Sequence, residues 1–176
     1  ALRALRSRPD LYDIYINPLS WGQTTWITED SEERRWIDSC IKKFVGSQHS
    51  GSDFDVSLQI TIPNEWQKLA PVNVGYTAGI ETNRIAPVWI EKGNIMERII
   101  VVSNHSKNVY QDTAYGVKNE QTGQIEDFRV KTPIDVVGYP VRKIEPVDID
   151  LNSEYDFNFL AVAQWGPRKN LAKTIK

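Results

Sequence analysis

A chain of 176 residues, 40% hydrophobic and 25% charged, can bury one domain-sized core. Its formal net charge of -2 provides no basic excess for a nucleic-acid backbone, so nucleic acid is excluded as the expected partner. A single cysteine, Cys40, rules out an internal disulfide framework, and the lack of any apolar run near ~20 residues argues against a membrane span; the expected setting is soluble, reducing and cytoplasmic.

The first segment, ALRALRSRP, is helical in pattern and ends at Pro9. A β-rich run follows at residues 12–16, then a strand-end loop at 17–24 that carries Trp21. Asp30 precedes a capping-box pattern with Glu33, and Trp36, Ile37, Cys40, Ile41 and Phe44 recur on one helical face. His49 lies in a Gly/Ser-rich connector. Residues 54–62 and 72–76 read as strands, and Pro63 and Pro87 stand where a first helical turn tolerates proline. Residues 98–102 form another strand pattern, with Ser103 placed as the N-cap of a helix over 104–111.

The segment 114–131, with Asn119, Thr122 and Gly123, breaks the rhythm and is expected to be a polar loop or hairpin. Residues 135–138 resume the strand pattern. Residues 143–155, with proline and several acids, read as a linker before a new strand at 157–162. Strands alternating with helices predict an α/β fold: a Rossmann-like, doubly wound parallel sheet with helices on both faces. The expected division is a domain over 1–145 and a linker with the opening of a second domain over 146–176. The chain lacks an initial methionine and closes on what reads as the start of a helix, so a fragment is expected.

In an open parallel sheet, ligands bind beyond the carboxyl ends of the strands. The residues placed there are Asn64 and Glu65, Glu81 and Thr82, Ser103 and His105, and Trp21 in the first loop. Glu81 and His105 are the candidate catalytic residues; Trp21, Asn64, Glu65, Thr82 and Ser103 are candidates for lining the cleft. Each also has a purely structural reading: first-turn acids for Glu65 and Glu81, a cap for Ser103, a helix-turn position for His105. Near the end, a β-rich run, a turn with Gly166 and Pro167, and then Arg168 and Lys169 at a helix start would attract an anion.

Residues 162–170, VAQWGPRKN, resemble the opening of the donor-binding lobe in family 4 glycosyltransferases, a strand followed by V-G-R-L-x-P-x-K-G. Lys169 falls on the family lysine that contacts the donor diphosphate. Gln164 stands where the family usually has arginine and Ala163 where it has glycine, with Arg168 nearby as a second cation. Residues 75–107 resemble the late first lobe of the same enzymes: a glycine-containing strand, a glutamate at its end, a tryptophan-bearing helix, and a strand closing in V-x-S-x-x-S. Order and spacing agree over residues 54–176. The match is loose before that, and the family's glycine-rich first loop is not evident.

The resemblance implies a retaining, two-lobed enzyme of the GT-B type, with most of the first, acceptor-side lobe and the start of the second. Its substrates would be a nucleotide-sugar donor, bound through Lys169, Arg168 and Gln164, and a glycan or other hydroxyl acceptor. No cofactor and no metal are implied, and an orphaned lobe face would favour a homo-oligomer. The isolated chain is expected to be inactive. The competing expectation is a non-catalytic Rossmann-like module that binds a sugar or nucleotide.

Overall fold

The computed structural model describes residues 1–20, 29–51, 53–118, 120, 122–141, 143–149, 154–163 and 166–175. The chain divides into two compact units, Ala1–Tyr139 and Pro140–Lys176.

The first unit is built on four parallel strands. They are β1 (Val56–Ile60), β2 (Val72–Tyr76), β3 (Arg98–Val101) and β6 (Ile134–Val136), in the spatial order β1-β2-β3-β6. The register is in phase across the sheet: Val56 lies beside Val72, Val74 beside Arg98, and Ile99 beside Ile134. Helix α1 (Leu2–Arg6) and helix α2 (Glu32–Ser50) precede the sheet, α3 (Pro87–Gly93) joins β2 to β3, and α4 (Asn104–Asp112) follows β3. Between α4 and β6 the chain makes an antiparallel hairpin of β4 (Ala114–Lys118) and β5 (Ile125–Arg129). This is the interruption anticipated at 114–131, with Gly123 at φ +70° in its connection.

Each crossover advances the sheet in the same direction. Right-handed connections then place their helices on one face. The core confirms it: Ile90 of α3 and Val109 and Tyr110 of α4 cluster with Ile99 and Val101 of β3, Ile134 of β6, and Trp66. Trp66 follows a 3-10 turn at Pro63–Glu65 and lies against the backbone of β2. A Cβ built on Gly75 would stand 2.6 Å from its ring. Asn73, on the same face, is buried and satisfied. Its Oδ1 accepts from Leu69 N, Ala70 N and Ser57 Oγ, while its Nδ2 donates to Ala70 O and Glu97 Oε2.

The opposite face carries Val56, Leu58 and Ile60 of β1 and Val72 of β2, all exposed, with Val56 at 57%. Helices on both faces were expected. Among the described residues one face is packed and the other stays substantially open. The strand order also runs without the reversal that marks a doubly wound sheet.

Other differences are local. Residues 12–16 do not join the sheet. Ile16 N donates to Cys40 O of α2, Lys43 pairs with Asp13, and Tyr15 packs edge-on against Phe54 at 5.1 Å. An alternating run satisfies a helix surface as well as a strand neighbour, and here the helix wins. The cap of α2 is Ser31 rather than Asp30: its Oγ accepts from Arg34 N at 3.1 Å. Glu33 instead pairs with Arg3, and Glu32 with Arg6, which fastens α1 to α2. Gly51, in the left-handed region at φ 66°, ends that helix.

The second unit contains a 3-10 turn at Pro167–Lys169 and a short helix α5 (Leu171–Thr174), and no strand among its described residues. The expected strand at 157–162 is therefore not formed. A parallel strand needs a neighbour to satisfy its backbone groups, and the described part of this unit offers none. Phe159 is 92% exposed and packs edge-on against Phe157, at 5.0 Å.

Candidate functional site

The carboxyl ends of β1, β2 and β3 bring several of the anticipated residues to one rim. After β2, the buried Thr77 continues the ladder by donating its N–H to Ile100 O at 3.2 Å. The chain then leaves the sheet and crosses the N-terminus of α4. Ile80 N donates to Ser106 Oγ at 3.3 Å, and His105 Nε2 lies 3.2 Å from Thr82 O. Glu81, Thr82 and His105 are exposed at this crossing, so the loop and the first turn of α4 form one surface.

Ser103 is the N-cap of α4. Its Oγ accepts from Ser106 N at 3.1 Å and lies 3.0 Å from Ser106 Oγ. Both hydroxyls are spent on holding the helix start and the loop. Ser103 thus has the structural role that its position allows, and it shapes the rim rather than presenting a group to it. At the end of β1, Asn64 is exposed in the 3-10 turn, while the half-buried Glu65 accepts from Thr61 Oγ1 at 2.5 Å. That bond ties the turn back to the strand end.

Exposed apolar residues share the carboxyl-end face: Ile62 after β1, and Val137 and Tyr139 after β6. The face is therefore mixed, with a carboxylate and an imidazole among apolar and hydroxyl groups. Among the described residues, no group of three or more His, Cys, Asp or Glu is arranged to hold a metal ion, and no helix is long and apolar enough to cross a membrane.

Arg168 and Lys169 belong to the second unit. They sit in the 3-10 turn opened by Pro167, one step ahead of α5, and Asn170 follows at φ 49° in the left-handed region. They were expected at the start of a helix; the turn precedes it instead. Trp21 and Gln164 lie outside the described residues.

Two contributors escaped the sequence reading. Ser106 is buried and fastens the Glu81 loop, and its signal was the second serine of the V-x-S-x-x-S spacing. Thr61 holds Glu65, and no local pattern announced it. A groove of about 440 Å³ lies elsewhere, between the N-terminal segment and α2, lined by Trp36, Cys40, Arg6 and Tyr12 among others. Its charged members are already paired, Arg6 with Glu32 and Lys43 with Asp13. No protein-family model, curated protein or solved structure matches the chain.

Proposed function

We propose that the chain is part of a retaining, nucleotide-sugar-dependent glycosyltransferase of the two-lobed GT-B type. Residues up to Tyr139 supply the Rossmann-like, acceptor-side lobe, and the residues after it open the donor side. The observation that carries this reading is the crossing of the β2 loop over the start of α4. It sets Glu81, Thr82 and His105 on one rim at the carboxyl end of a parallel sheet. These are the residues of the stretch 75–107 that resembles the late first lobe of family 4 enzymes.

In this reading Glu81 and His105 face the acceptor and the reacting sugar, and Thr82, Asn64 and Glu65 line the cleft. Lys169 and Arg168 would neutralise the departing diphosphate, the kind of fixed charge on which such transfer depends. Water exclusion and the rest of the donor site would come from the second lobe.

The test is a two-part titration of the chain. A panel of mono- and disaccharides is expected to shift the amide signals of residues 77–82 and 103–106. Incubation with uridine and guanosine diphosphate sugars is expected to release no nucleoside diphosphate from this chain alone. Turnover by the isolated chain, or saccharide shifts confined to other surfaces, would overturn the reading.

A further inference from the structure

The loop that carries Glu81 and Thr82 runs along α4 and is tied to it at both ends. The upper tie is the pair already described, Ile80 N to Ser106 Oγ and His105 Nε2 to Thr82 O. The lower tie is denser. Ile85 N donates to Thr113 Oγ1 at 3.2 Å, and Thr113 Oγ1 donates in turn to Val109 O at 2.7 Å. Tyr115 Oη, at the start of the hairpin, donates to Ile85 O at 2.8 Å. The Arg84 guanidinium donates to Ala114 O at 3.0 Å and lies over the Tyr115 ring at 4.5 Å.

Geometry makes the lower tie matter. Residues 80 to 85 can span about 17 Å when extended. The helix rise from Ser106 to Thr113 is only about 10 Å. The slack lies between the ties, over residues 82–85, and the lower anchor at Ile85 limits it, standing within about 11 Å of extended chain from Thr82.

We propose that Tyr115 and Arg84 are positioning residues for Glu81 and Thr82, holding the rim in place from the far end of α4. This rests on the reading of the rim as the acceptor-side cleft. It also gives the hairpin, which interrupts the strand–helix alternation between α4 and β6, a purpose: its first strand carries the clasp.

The chain holds two histidines, His49 and His105, so the ring-nitrogen signals of His105 can be identified by comparison with His49→Gln. Tyr115→Phe and the double variant Tyr115→Phe/Arg84→Ala are compared with the parent. In both, the His105 Nε2 signal should move as Thr82 O is released, more so in the double variant. Hydrogen exchange at Ile80 N should rise roughly tenfold in the double variant while Thr77 N keeps its protection. A folded variant with unchanged His105 and Ile80 signals overturns the proposal. Should the double variant lose the sheet, Tyr115→Phe, which deletes one hydroxyl, carries the comparison alone; equal loss of protection at Thr77 and Ile80 there would also overturn it. No ligand enters these measurements, so a failure to bind sugars would strike the functional reading and leave this result standing.

Discussion

Gly75 sits in the middle of β2 with the ring of a fully buried Trp66 where its side chain would be. The ring is held on its other sides by the core and cannot swing away. Gly75→Ala should therefore cost about 1–3 kcal/mol as an overpacked site, visible as a lowered melting temperature. Tyr110 presents the reverse situation. It is completely buried, its hydroxyl has no hydrogen-bond partner among the described residues, and burial pushes the phenol well above its usual range. Tyr110→Phe removes an unsatisfied group and keeps the ring stacked near Trp89, so it should stabilise by about 1 kcal/mol. A drop in melting temperature would contradict this. At this scale the sequence was only partly legible. The glycine at 75 was noticed as part of a family-like strand, but its packing reason lies nine residues away in Trp66, beyond any local pattern.

Elements were read best where their signals are local. Ser103 was placed as a cap because a small hydroxyl directly follows a strand, and its Oγ does accept from Ser106 N. Ser103→Ala should cost about 1 kcal/mol in unfolding free energy. It should also loosen Ile80, because the Ser106 hydroxyl loses its neighbour. The strands at 72–76 and 98–101 were legible for a similar reason, being buried on one face with turn chemistry at both ends. Residues 12–16 and 157–162 were misjudged for one common reason. An apolar, β-branched run records a capacity to pair, and pairing requires a neighbour that the run itself does not encode. The rim was legible in outline, since strand ends locate it. The clasp was not, because it joins residues about 30 positions apart.

At the scale of the whole molecule, acid is the informative perturbant. The Asn73 backbone N–H, followed by its side-chain amide, holds the Glu97 carboxyl below the usual carboxylate range. Arg3 does the same for Glu33, and Arg8 for Asp10, in each case chiefly through a hydrogen bond. A depressed folded-state pKa contributes stability that is present above the unfolded value, near 4.5 for a glutamate, and is lost as the pH falls through the folded value. Melting temperature should accordingly be flat near neutrality and decline below about pH 4.5. Glu97→Gln should lower the neutral plateau and shallow the decline; an unaltered slope would show that Glu97 has no part in it.

The order β1-β2-β3-β6 has a bearing on how the first unit is made in the cell. Spatial order follows chain order in this sheet, so each of its strands after β1 finds its neighbour already waiting as it leaves the ribosome and never has to insert between two others. Growth of the sheet is therefore vectorial. The hairpin emerges after α4 and before the last strand, so the clasp on the Glu81 loop can close while β6 is still being synthesised.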